Sequence, residues 1–359
     1  MGWIYKKVVR PILFTTDAED AHKNAVMSMS VLSHASIVCR MLELYSRTCG
    51  TQPVEVFGLK FPNAVGMAAG MDKNAQFWRA AAAFGYGHVE IGTVTAQGQP
   101  GNPQPRLFRY PPEEAIINRM GFNNSGAEAI AATLRKSGAH AIRPIPLGIN
   151  IGKTKVTPLD KAVEDYLFSF NTLADYADYF TINISSPNTP DLRKLQGDAY
   201  LPELLRAIKG ANRARAEKLG KKEIPLLVKI APDLSFPEID SILRHIQDEG
   251  FDGIIATNTT ISRPVELADA NETGGLSGKP LFPRSLEIVN YISRATGGKL
   301  PIVGVGGICT PERAGRMMDA GASLIQIYSA WIYNGPFFPA EVAKSVAWRH
   351  RPWNNIPAL

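Results

Sequence analysis

The chain has 359 residues, 45% of them hydrophobic, 20% charged and 9% aromatic. That composition is globular and excludes a disordered, collagen-like or low-complexity chain. Lys and Arg number 39 against 33 for Asp and Glu, a net charge of +6, which permits an anionic partner without identifying one.

The three cysteines, Cys39, Cys49 and Cys309, form no C-x-x-C pair. A disulfide framework and a cysteine zinc site are therefore not expected, and a reducing compartment is. His22, His34, His88, His140, His245 and His350 show no metal-ligand spacing, so no metal is expected either. No apolar run reaches the length of about 18 residues that a membrane span needs. No compact apolar run precedes a small-residue cleavage site, so no signal peptide is expected.

Residues 1–49 read as an N-terminal helical segment. Met1–Thr16 carries Lys6, Lys7 and Arg10 and no acid, with Trp3, Ile4, Val8, Ile12 and Leu13 at near-helical spacing. A second segment, about Ala18 to Arg47, has a polar stripe of Ser33, Ser36, Arg40, Glu43 and Arg47. Its apolar stripe is Val31, Ala35, Val38, Leu42 and Tyr45. Two readings fit this hairpin: a cover packed on the main domain, or an apolar surface opening toward lipid.

Residues 50–359 read as one barrel domain. Strands are expected at Asn63–Ala68, His88–Gly92, Leu147–Ile151, Phe180–Ile184, Leu226–Ile230, Gly253–Thr257, Ile302–Val305 and Leu324–Ile327. Helices are expected between them, at Gln76–Phe84, Ala127–Lys136, Glu203–Leu219, Pro237–Glu249 and Pro311–Ala320. Runs such as LLVKI, IVGV and LIQI are nearly all apolar, as strands buried on both faces should be. About eight β/α units of this kind suggest a (β/α)8 TIM barrel. A doubly wound open sheet is the alternative, weakened because no G-x-G-x-x-G follows the first strand.

Each expected strand ends in glycine or a hydrogen-bonding group. These are Ala69-Gly70-Met71-Asp72-Lys73, Thr93, Asn150, Asn183, Lys229, Thr257-Asn258, Gly306-Gly307 and Tyr328-Ser329. In a barrel they share one rim. Dominated by Asn, Thr, Gly and two lysines, the set suits a polar, partly anionic ligand and not a metal or a paired-carboxylate glycosidase. The glycines after strand seven and Tyr328-Ser329 fit the usual barrel phosphate site. Two long loops are expected, Thr93–Ser125 and Ser185–Gly197, the second a lid directly after strand four.

The motifs AAGMDKN, EIGTVT, PQPRLFR, NRMGFNN, GINIGK, INISSPNTPDLR, VKIAPD, IATNTT, GGLSGKPL, GVGGI and QIYSA occur in this order over about residues 58 to 335. Together they resemble the dihydroorotate dehydrogenases of the quinone-linked class 2, as does the N-terminal D-A-E-D-A-H-K. The resemblance implies oxidation of dihydroorotate to orotate in pyrimidine biosynthesis. Hydride passes to one FMN per chain and electrons go on to membrane quinone.

Matching positions that hold FMN are Ala69, Gly70, Thr93, Asn150, Asn183, Lys229, Thr257, Gly278, Gly307, Tyr328 and Ser329. Met71, Asp72 and Lys73 complete that stretch, and Lys73 also matches a position touching substrate. Asn118, Gly121, Phe122, Asn183, Asn188, Asn258 and Thr259 match the pyrimidine positions, with Arg119 and Met120 in the same run. Ser186 matches the catalytic base, where cytosolic class 1 relatives carry cysteine; this chain has no cysteine between Cys49 and Cys309. Lys229 is the implied counter-charge for reduced flavin. His22 and Arg109 match positions lining a quinone tunnel, with Tyr328 between them and the flavin.

The expected setting is a monomer bound peripherally to the cytoplasmic face of an inner membrane, its hairpin serving as anchor. A soluble FMN enzyme acting on another pyrimidine is the alternative. Nucleic-acid binding lacks the aromatic-basic interleaving it needs.

Overall fold

A computed structural model describes residues 2–47, 50–139, 143–189, 191–268 and 270–349. Cys49, His140, Pro190, His350 and the side chain of Arg47 lie outside the described residues.

Eight strands close into a barrel: β1 Val65–Met67, β2 His88–Val94, β3 Leu147–Ile151, β4 Tyr179–Asn183, β5 Leu226–Ile230, β6 Gly253–Ala256, β7 Ile302–Val305 and β8 Leu324–Ile327. Every neighbouring pair is parallel, and the spatial order is the chain order. This settles the choice between barrel and open sheet. All residues of β2 to β8 are buried, which is why these strands read as unbroken apolar runs. The helices between them lay apolar stripes on the outside of the barrel. In Phe236–Asp248, Ile239, Ile242, Leu243 and Ile246 are buried, and a Ser235–Glu238 capping box opens the helix. A short hairpin, Val54–Val56 with Leu59–Phe61, lies at the amino-terminal end, and Phe57 packs beside Gly253 there.

Two expectations are corrected. Thr93–Ser125 is not a loop. Gln97–Gln99 pairs with Asn124–Gly126, and Leu107–Tyr110 pairs with Ala115–Asn118, which in turn pairs with Gly275–Gly278. These strands are three or four residues long, too short for alternation to show in the sequence. The second N-terminal segment is two helices, Ala18–His34 and Ser36–Arg47, bent by 101°. The apolar period runs straight across the break at Ala35, where no Gly or Pro marks it.

Ahead of them, Gly2–Ile4, Tyr5–Val9 and Arg10–Leu13 form consecutive helical turns, the middle one π-helical. Asp17 caps the next helix by accepting from the Glu19 and Asp20 amides. Burial on this hairpin does not follow its two stripes: Ser36 and Arg40 of the polar stripe are exposed, and Ala35 and Leu42 of the apolar stripe are half-buried. Ser33 of the polar stripe is buried, while Val31, Val38 and Tyr45 of the apolar stripe are exposed. Trp3, Ile4, Ile12, Met27, Ile37 and Met41 are exposed as well. No single helix among the described residues is long and apolar enough to cross a membrane.

Candidate active site

The carboxyl ends of the strands meet in a cavity of about 1150 Å³, open solvent at its mouth included. Ala69, Gly70 and Lys73 border it after β1, Thr93 in β2, Asn183 at the end of β4 and Lys229 in β5. Thr257, Asn258 and Thr259 follow β6, Gly306 and Gly307 follow β7, and Tyr328 and Ser329 follow β8. The antiparallel excursion and its continuation add Asn118, Met120, Gly121 and Phe122, and Gly278 comes from the strand paired with it. Ser186 and Asn188 enter from the lid.

Four of the expected residues lie elsewhere. Met71 borders a second cavity, under the hairpin. Asp72 is fully buried, accepting from the Gln76 amide at 2.7 Å and the Phe77 amide at 2.9 Å. Burial raises its carboxyl to about 6. Asn150 stands behind the cavity wall, its Oδ1 accepting from Thr93 Oγ1 at 2.6 Å and from Asn183 Nδ2 at 3.1 Å. Arg119 turns outward to pair with Glu272. Sequence reasoning also missed contributors: Ser277 and Gln326 line the cavity, and Glu90 lies buried beneath it. An acid within the apolar strand HVEIGTV was the available signal.

One end of the cavity is lined by small residues. Ser277 Oγ and Ser329 Oγ lie 2.8 Å apart beside Gly278 and Gly307. Gly307 has φ +64°, and a Cβ there would come within 2.6 Å of the Phe282 backbone nitrogen. A side chain at this position would collide with that backbone, so glycine is required and the cavity wall stays without a side chain there.

The other end is ordered by the lid. Leu192 and Leu195 bury themselves in the core. Arg193 donates from Nε to the Ser185 carbonyl at 3.1 Å and from Nη2 to the Thr259 carbonyl at 3.2 Å, and it pairs with Asp233 at 2.9 Å. Asn188 Nδ2 donates to the Asn118 carbonyl at 3.0 Å, joining lid to excursion. Ser186 is nearly buried, and its Oγ accepts from the Asn188 amide at 3.2 Å.

The second cavity, about 2280 Å³ with open solvent included, lies between hairpin and barrel. Leu13, Phe14, His22, Arg109, Trp331 and Phe337 are among its lining. Arg109 donates to the carbonyls of Leu13 and Thr16 and stands 4.5 Å over the Phe14 ring. His22 Nε2 lies 3.3 Å from Lys73 Nζ. Burial, with Lys73 beside it, pushes His22 down to about 3, so its ring is neutral at pH 7. Burial also draws Lys73 down to about 8. Tyr328 borders both cavities.

A family model described as dihydroorotate dehydrogenase matches residues 52–349. The dihydroorotate dehydrogenase (quinone) of Chloroflexus aurantiacus is 49% identical over 353 residues, covering 95% of this chain and 96% of its own. That of Salinispora arenicola is 51% identical over 344 residues, covering 93% and 96%. A crystal structure of DHODH from Eimeria tenella in complex with ferulenol superposes with a TM-score of 0.77 at 35% identity, covering 87% of this chain and 90% of that one. With this match added to the closed barrel and its polar rim, the chain belongs to the dihydroorotate dehydrogenase family, in its quinone-dependent class 2.

Proposed function

We propose that this chain oxidises dihydroorotate to orotate in pyrimidine biosynthesis and delivers the electrons to a membrane quinone, with one FMN bound at the barrel mouth. The observation that carries this reading is Tyr328, the wall shared by a cavity rimmed with Asn, Thr, Ser and Lys side chains and a larger one lined mainly by apolar groups. Two reactants of opposite solubility have separate sites on either side of one side chain.

The lining suits FMN. Gly278, Gly307 and Ser329 offer an anion cradle. Gln326 presents a buried Oε1 without a hydrogen-bond partner, an acceptor for a ring N–H. Lys229 supplies a buried positive charge. When bound, FMN supplies a two-electron acceptor that can be reoxidised by quinone.

The residues divide the remaining work. Asn118, Asn188, Asn258 and Thr259 present neutral donors and acceptors matched to the imide and carboxylate of a pyrimidine. Ser186 Oγ takes the proton from the ring carbon as its own hydroxyl proton passes to a relay water, and the Asn188 backbone N–H donating to Oγ favours the alkoxide character that this exchange needs. The pinned lid keeps bulk water from that step. His22 and Arg109 line the quinone path, and the exposed apolar face of the hairpin rests on the membrane as a peripheral anchor. The protein acts as a monomer at the cytoplasmic face.

Turnover tests this reading. Purified protein should be yellow, release one FMN per chain on denaturation, and form orotate only while a quinone is supplied. A colourless protein, or orotate formation indifferent to quinone, contradicts it.

A further inference from the structure

Glu90 sits in the middle of β2, inside the barrel and fully buried. An isolated carboxylate there would be strongly disfavoured. Its surroundings consist of donors drawn from four other strands. Oε1 accepts from Asn150 Nδ2 at 2.8 Å. Oε2 accepts from Thr181 Oγ1 at 3.0 Å, from Gln326 Nε2 at 3.0 Å and from Tyr179 OH at 3.3 Å. Lys229 Nζ stands 3.9 Å from Oε1, with both side chains shielded from solvent.

Two consequences follow from an acceptor-only group in that place. First, Asn150 must turn its amide nitrogen toward Glu90, so its oxygen faces Thr93 and Asn183. Asn183 then points its nitrogen at Asn150 and its oxygen at Ser185 Oγ, 2.9 Å away. One carboxylate therefore sets the donor and acceptor sense of a chain of amides reaching the substrate end. Second, Lys229 gains a counter-charge inside the barrel. Burial lowers its affinity for a proton and Glu90 raises it. Lys73, Glu114, Cys309, Tyr328 and Tyr333 are titratable groups elsewhere on the cavity wall, and Tyr179 faces Glu90 from β4. Glu90 is the acid within ion-pair distance of Lys229 among the described residues.

We propose that Glu90 is a positioning residue that keeps Lys229 a charged donor toward the flavin and fixes the amide orientation of Asn150 and Asn183. This rests on the functional reading above.

The test is the midpoint potential of bound FMN measured against pH in the holoenzyme. Proton loss from Lys229 should put a break in that line, and Lys229→Met should abolish the break. Glu90→Gln keeps the shape and removes the charge, so the break should move to lower pH by about one unit. Glu90→Asp keeps the charge one methylene farther away and should move the break the same way by less. It decides the matter if the glutamine variant fails to fold. A break unmoved in a folded, FMN-loaded variant would overturn the proposal while leaving the functional reading intact. A wild-type protein without FMN would overturn the functional reading instead.

Discussion

Ser186 Oγ lines the cavity and accepts from the Asn188 amide, an arrangement that favours negative charge on an oxygen otherwise poorly basic. Ser186→Ala should slow flavin reduction by dihydroorotate on the order of 100- to 10,000-fold while FMN stays bound, measured by stopped-flow absorbance. Near-normal reduction would remove Ser186 from the role. Lys73 gives a pH dependence whose sign is fixed by burial. Its ammonium is present below about pH 8 and lost above it. If the ligand carboxylate binds the ammonium, orotate affinity should fall about tenfold per pH unit above 8, because binding must then take up a proton. Spectral titration with orotate across that range checks it, and Lys73→Met should flatten the slope. The residue scale also shows why Glu90 escaped a reading based on rim residues. It lies mid-strand, and its importance depends on partners from β3, β4, β5 and β8 that only the closed barrel assembles.

Elements are held to one another by a few buried ties. The hairpin is tied to the excursion by Glu19, whose carboxylate receives Arg106 Nε at 3.0 Å and Nη2 at 2.8 Å. Arg106 also donates to the carbonyls of Pro100 and Asn102, both at 2.7 Å. The arginine holds the Glu19 carboxyl below its usual 4.5. A carboxylate with a lowered native pKa stabilises the fold above its unfolded value and loses that contribution as pH falls through the native one. Acid below about pH 4.5 should therefore loosen the hairpin. Glu19→Ala, which strands a buried guanidinium, should cost about 3 kcal/mol in thermal unfolding at neutral pH. A second change, Arg106→Met, should recover much of that loss. Deleting residues 1–45 should impair quinone reduction and vesicle binding more than FMN retention. Normal quinone reduction by that truncated protein would contradict the hairpin's role.

For the molecule as a whole, the barrel was legible because its strands are buried on both faces and must be apolar throughout. The rim was legible because strand ends are where polar residues interrupt those runs. The bend at Ala35 was not, since no Gly or Pro marks it, and the strands inside Thr93–Ser125 were not, since at three or four residues each they are too short for alternation to show. Asp72 and Asn150 show the remaining limit. Adjacency in the chain placed Asp72, and its position in a strand together with the family resemblance placed Asn150, with the ligand-contacting residues, whereas the fold puts one beneath a backbone turn and the other behind the wall.

Net charge also resolves at this scale. The basic helix Leu201–Leu219 has Arg206 paired with Glu249, Lys209 with Glu223 and Arg215 with Asp175, so its charge is locally balanced. Lys6, Lys7 and Arg10 lie on the hairpin with no acid in that first segment, where an anionic surface would attract them.

The central claim is that one chain runs two half-reactions through two cavities joined at Tyr328. Its most direct test is an anaerobic absorbance experiment on the full-length protein. Dihydroorotate alone should bleach the flavin spectrum and release one orotate per FMN, and a quinone added afterwards should restore the spectrum. A spectrum unchanged by dihydroorotate, or bleached but not restored by quinone, would contradict the account.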